Sequence, residues 1–174
     1  MRLFGHELFV GQTAVMTPAV KALERADIAH RVVTYDHDPA ANSYGAEAAA
    51  VLGLDATTVF KTLVATVASK SDHRHVVAVV PVAHRLDLKA LANAAGAKKA
   101  IMSDPADAAR LTGYVVGGIS PIGQRTRLAT FIDTSAQPLA LVYVSGGKRG
   151  MEIELTPADL AAATNGQFAL LAAA

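Results

Sequence analysis

The sequence predicts one α/β domain built on a mixed, curved, barrel-like β-sheet with peripheral helices. Three observations carry this expectation. Short valine-rich segments with a two-residue period follow one another directly, as at 59–67 and 76–82, so antiparallel neighbours are expected. Helical segments with clear start and stop signals interrupt the strands at irregular intervals, which is not the repeated βαβ alternation of a doubly wound sheet. The chain has 174 residues, of which 52% are hydrophobic and only 5% aromatic, enough for one sizeable core. No repeat, linker or composition shift marks a second domain. Residues 1–15 read as an N-terminal extension, and 16–174 as the domain.

Taken in order, Thr17-Pro18 opens the first helix, a capping hydroxyl followed by proline at the first helical position. Val20 and Leu23 give that helix its apolar stripe. His30 to Tyr35 alternates as a strand and ends at Asp36-His37-Asp38-Pro39. A second helix starts near Ser43 and stops at Leu52-Gly53, with glycine where a left-handed residue is wanted. Val59 to Val67 and Val76 to Val82 form a strand pair around the turn Ser69 to Asp72. Asp87 caps a helix that Gly96 ends, and Ser103-Asp104-Pro105 opens another that Gly113 ends. Strands follow at 128–132, 139–144 and 151–155. Thr156-Pro157-Ala158-Asp159 resembles a capping box ahead of a last helix that stops near Asn165-Gly166.

Composition excludes several function classes. There is no cysteine, hence no disulfide framework, thiolate nucleophile or cysteine-bound metal. No apolar run reaches the ~18 residues of a membrane span, and the first fifteen residues lack the apolar core of a signal peptide. Sixteen basic and fifteen acidic residues nearly cancel, so any nucleic-acid surface must be a local patch. The expected compartment is the cytoplasm, with no metal or cofactor.

The candidate chemistry sits on few residues. Gly117-Gly118-Ile119-Ser120-Pro121-Ile122-Gly123 follows a valine run and can present backbone N–H groups to a phosphate, a carboxylate or an oxyanion. A tight strand connection is the simpler reading of such a loop. Lys61 shares a strand face with Val59, Leu63, Ala65 and Val67, while Phe60, Thr62, Val64 and Thr66 form the more polar face. A lysine on an apolar face either snorkels to water or is aimed at an anion. Ser145-Gly146-Gly147-Lys148-Arg149-Gly150 fails the P-loop spacing and reads as a hairpin turn whose two cations can contact RNA phosphates. Asp36-His37-Asp38 and His73-Arg74-His75 lack the further ligands of a zinc site. No Gly-x-Ser-x-Gly elbow is present, and Ser120 and Ser145 lack a visible base. Lys98-Lys99 reads as a solvated face or a small basic patch.

Together these segments resemble the YbaK/EbsC family of freestanding aminoacyl-tRNA deacylases, related to the editing domain of bacterial prolyl-tRNA synthetases. The resemblance rests on Thr17-Pro18-Ala19-Val20, Tyr35-Asp36-His37-Asp38-Pro39, Phe60-Lys61-Thr62-Leu63, Leu86-Asp87-Leu88-Lys89, the Gly113 to Gly123 segment and Tyr143 to Gly150, all in family order. It implies hydrolysis of Cys-tRNA(Pro), with cysteine a mistake that a small apolar synthetase pocket cannot reject by itself. It places the essential lysine at Lys61, the Gly-x-x-x-Pro loop at Gly117 to Pro121, and pocket residues at Tyr35, Ser145 and Gly146. Tyr44 stands where the family has phenylalanine and Glu152 where it has aspartate. It further implies that the substrate's own thiol attacks the ester, that the partners are the tRNA(Pro) acceptor end and prolyl-tRNA synthetase, and that neither DNA nor membrane is bound. The alternatives are an Ala-tRNA(Pro) deacylase, a non-catalytic tRNA- or synthetase-binding module, and a phosphate-ligand binding protein.

Overall fold

The computed structural model describes residues 16–173, and the expected extension over 1–15 lies outside them. The elements are α1 (Pro18–Arg25), β1 (Arg31–Thr34), α2 (Tyr44–Leu52), β2 (Phe60–Ser69), β3 (Asp72–Pro81), β4 (Arg85–Leu86), α3 (Leu88–Ala94) and β5 (Lys99–Met102). They continue with α4 (Pro105–Thr112), β6 (Ala129–Asp133), β7 (Val142–Ser145), β8 (Met151–Leu155), α5 (Pro157–Thr164), β9 (Gln167–Ala169) and β10 (Ala172–Ala173).

Local chemistry sets the helix ends. Thr17, Asp87, Asp104 and Thr156 each accept a hydrogen bond from a first-turn N–H, and proline occupies the first turn of α1, α4 and α5. Gly53 and Gly113 end their helices in the left-handed conformation, at φ 66° and 79°. Ser43, by contrast, makes no capping hydrogen bond to α2.

Five strands form the main sheet in the order β5-β2-β3-β6-β9, and three form a second in the order β1-β8-β7. The β2–β3 hairpin is longer than its valine run suggested, pairing Ser69 with Asp72, so His73 to His75 lie inside β3 and not beside a turn. Lys99 belongs to β5, a strand the sequence reading missed because its four residues carry no alternation of their own. A parallel bridge between Val59 and Tyr143, with the Tyr143 N–H donating to the Thr58 carbonyl at 3.0 Å, splices the two sheets.

The spliced sheet wraps one apolar cluster and carries a second on its other side. Phe60, Val64, Val77 and Val79 face Val144, Ile153 and Leu155, whereas Ala65, Val67, Val76, Ala78 and Val80 pack against Leu91 and Leu171. Both faces of β2 are therefore core. The expected polar face at Phe60, Thr62, Val64 and Thr66 is corrected: Phe60 and Val64 are buried there because the second sheet and α4 cover them. Burial of each such valine or phenylalanine contributes roughly 1.5–3 kcal/mol.

One consequence positions the site. β7 lies beside the start of β2, and β5 pairs only with Ala65 to Ala68, on the same edge. Val59 accepts from Val82 across the other edge, so the alternating antiparallel pattern turns the N–H and C=O groups of even-numbered β2 residues toward β7 and β5. The Val64 carbonyl takes the Ser103 N–H at 3.0 Å as β5 ends. Thr62 is left between the two partner strands, at a split in the sheet.

Candidate active site

The split opens into a cleft of about 350 Å³. Lys61, Thr62, Ser145, Glu152, Tyr44 and Gly117 line it together with apolar residues such as Val64, Ala108 and Ile119.

Strand register aligns three of the polar groups. Cross-strand partners share a sheet face. Ser145 lies opposite Glu152, and continuing the Val59–Tyr143 register by two residues puts Lys61 beside Ser145 on that face. Strands stand ~4.8 Å apart, so the Lys61 and Glu152 backbones are separated by roughly 10 Å. None of the ion pairs among the described residues includes either residue. Burial, and then the neighbouring Arg85, hold the Lys61 ammonium below the usual lysine range. Burial alone pushes the Glu152 carboxyl up to about 8. An amine and a carboxyl thus flank one cavity without neutralising each other.

Thr62 adds a further group, one that the sequence reading did not single out. Its hydroxyl is buried with no hydrogen-bond partner among the described residues, a situation rare enough in folded proteins to require a reason. Nothing in the sequence signals this, because it follows from where β5 and β7 stop.

The two glycine-rich loops meet at the rim. Gly117 has φ +86°, and a Cβ there would stand 2.5 Å from the Tyr44 ring. A Cβ on Gly118 would stand 2.8 Å from the Lys148 backbone. The Arg149 guanidinium donates to the Val116 carbonyl at 2.8 and 3.1 Å and lies 5.0 Å from the centre of the Tyr44 ring. His37 packs against Tyr44, with ring centres 5.6 Å apart, and is paired to Glu47 at 2.8 Å.

Several expected site residues are placed elsewhere. The Gly118 N–H donates to the Val115 carbonyl at 2.9 Å, so the turn itself occupies that expected oxyanion donor. Ser120 is fully buried, accepting from the Ile122 N–H at 3.2 Å, and Pro121 borders a separate groove beside α5. Both lie outside the cleft because the loop turns inward after Ile119 to bury Ile122. Gly146 is also a packing residue: its carbonyl takes the Thr17 hydroxyl at 2.5 Å, and a Cβ would strike Met151. Tyr35 stands close to Glu152 but outside the cleft wall, and burial with the Glu152 and Glu47 carboxylates pushes its hydroxyl up to about 12. Lys148 and Arg149 are exposed near the tip of the β7–β8 hairpin. No group of three His, Asp or Glu side chains converges among the described residues.

Comparison with known proteins adds to this geometry. The family model for the aminoacyl-tRNA editing domain matches residues 37–163. EbsC of Enterococcus faecalis, named for Cys-tRNA(Pro)/Cys-tRNA(Cys) deacylation, is 40% identical over 159 residues, which cover 91% of this chain and 94% of that protein. A crystal structure described as a trans-editing enzyme for prolyl-tRNA synthetase superposes with a TM-score of 0.76 at 25% identity, covering 90% of this chain and 96% of the other. The hypothetical protein APE2540 shares the fold, with a TM-score of 0.79 at 24% identity over 90% of this chain and all of its own.

Proposed function

The chain belongs to the aminoacyl-tRNA editing domain family, and from that premise we propose that it is a trans-editing enzyme that deacylates mischarged Cys-tRNA(Pro). The observation that carries the reading is the separation of Lys61 from Glu152 across the cleft. An aminoacyl ester has the complementary layout, with an α-ammonium on one side of the reacting carbonyl and ribose and phosphate oxygens on the other.

In this reading Glu152 takes the α-ammonium, an opposite charge that reverses the effect of burial and ionises the carboxyl. Lys61 holds the ester oxygens or the terminal phosphate and so fixes the carbonyl. The Gly117 N–H, on the cleft wall, supports the oxyanion in place of Gly118. Ser145 stands between them, and the Thr62 hydroxyl meets the substrate from the split in the sheet. The cysteine sulfur attacks its own ester carbonyl, the carbon–oxygen bond to ribose breaks, and the ribose oxygen receives the thiol proton. The cysteine thiolactone that leaves is opened by water. Cysteine is selected because alanine has no thiol to attack with.

The domain spans residue 16 to the C-terminus and works in the cytoplasm beside prolyl-tRNA synthetase, which supplies tRNA(Pro) selectivity. No described helix is long and apolar enough to cross a membrane. The test is hydrolysis of Cys-tRNA(Pro) against Ala-tRNA(Pro) by the wild type and Lys61→Ala. Fast cysteine release that the substitution abolishes is expected. Preference for alanine moves the chain to the sister specificity, and no turnover by folded protein leaves a binding module.

A further inference from the structure

Two segments without a role in the cleft, His73-Arg74-His75 and Lys98-Lys99, are brought together by β2. Ala68 pairs with Lys99 on one side and with His73 on the other. Thr66, two residues nearer the cleft, pairs likewise with Ile101 and His75. Cross-strand partners share a face, and residues two apart on a strand lie on the same face. Lys99, His73, His75 and Ile101 therefore form a patch on the face of β2 that carries Val64 and Thr62, two of the cleft residues.

The patch is continuous with the cleft and open to solvent. Ser103, which borders the cleft, hydrogen-bonds Val64 through its N–H and places its hydroxyl 3.1 Å from the His75 Nδ1. The Thr66 hydroxyl is 3.3 Å from the same nitrogen. These two hydroxyls hold the Nδ1 edge of the ring, and Nε2 lies on the edge away from them. Ile101 is 51% exposed. β6 first pairs with β3 at Val76, so among the described residues no strand flanks His73 or His75 on that side.

The charge is one-sided. Neither row contains a carboxylate, Asp72 is engaged by Arg74, and Asp104 is turned to capping α4. Lys99 is the one formal charge of the patch, and the imidazoles of His73 and His75 add polar ring edges that can meet phosphate oxygens. At the other rim, Arg149 is already committed to Val116 and Tyr44.

We propose that the single-stranded acceptor end of the RNA leaves the cleft across this β5–β2–β3 face. Its bases lie against Ile101, and its phosphates meet Lys99, His73 and the outward edge of the His75 ring. The inference rests on the deacylase reading for the identity of the RNA, but not for its test.

The test is binding of an uncharged RNA hairpin ending in CCA, measured by anisotropy over a salt series. The proteins are the wild type, Lys99→Glu with His73→Gln, and Lys148→Ala. The double variant is expected to bind about tenfold more weakly, with a salt slope lowered by roughly one or more. Its hydrolysis of cysteinyl-adenosine, which lacks the RNA chain, is expected to match the wild type. Wild-type affinity and slope in the folded double variant would overturn the path, as would a loss confined to Lys148→Ala. Failure of the wild type to cleave cysteinyl-adenosine would instead count against the deacylase reading and leave the binding result standing.

Discussion

The Tyr44 ring fills the space that a Cβ on Gly117 would occupy, 2.5 Å from its Cε2, so the rim of the cleft exists only with glycine at 117. The backbone there, at φ +86°, is also unfavourable for any other residue. Gly117→Ala is expected to cost about 1–2 kcal/mol of stability. It is also expected to displace Tyr44 and lower turnover of Cys-tRNA(Pro) at least tenfold. Tyr44→Ala in the same chain removes the collision and is expected to recover stability, giving non-additive unfolding energies. Additive effects of the two substitutions would separate Tyr44 from Gly117.

Glu152 makes stability depend on pH in a sense opposite to that of a salt-bridged carboxylate. Its folded value is pushed up to about 8 from an ordinary 4.5. Between those values the native state keeps a proton that the unfolded chain has released, so stability falls as pH rises through this window and stays lower above it. Glu152→Gln removes the titration. It is expected to match the wild type in urea at pH 4 and to exceed it by roughly a few kcal/mol at pH 9. A constant difference between the two proteins at all pH values would contradict this assignment.

Ser120 separates the substrate-thiol mechanism from serine nucleophilic catalysis. Its hydroxyl is buried and accepts from the Ile122 N–H at 3.2 Å, and its carbonyl accepts from the Gln124 amide at 2.9 Å. Ser120→Ala is expected to cost about 1 kcal/mol of stability and to leave turnover within twofold. Complete loss of turnover in folded Ser120→Ala protein would bring back a nucleophilic serine.

The sequence made much of this legible, and the limits are physical. Helix ends were readable because caps are local: Thr17, Asp87, Gly53 and Gly113 act within a few residues of themselves. The strangeness of Lys61 was also readable, since one charge broke a two-residue apolar period. The family resemblance supplied Glu152 and Tyr44, which no local pattern marks. What could not be read depends on long-range pairing. β5 has four residues and is a strand only because β2 offers it an edge. Ser120 and Pro121 looked like site residues from the loop's composition, yet the loop's path was set by burial of Ile122 in the core. Thr62 gained its position from the ends of two strands that are distant in sequence.

Thr62 offers the clearest separation of stability from function. Its hydroxyl is buried without a partner among the described residues, and an unsatisfied buried hydroxyl costs about 1–3 kcal/mol relative to an apolar group of the same shape. Valine has that shape. Thr62→Val is therefore expected to raise the melting temperature by about 2–4 °C per kcal/mol recovered. The same substitution removes a hydrogen-bonding group from the cleft, midway between β7 and β5. Turnover is expected to fall by about one to two orders of magnitude through kcat, since a single hydrogen bond that orients the carbonyl acts on the reacting geometry. Thermal melts and single-turnover hydrolysis on the same preparation make the comparison. A more stable protein with unchanged kcat would mean that the hydroxyl is merely tolerated. A less stable one would mean that a partner, such as a bound water, satisfies it in the free protein.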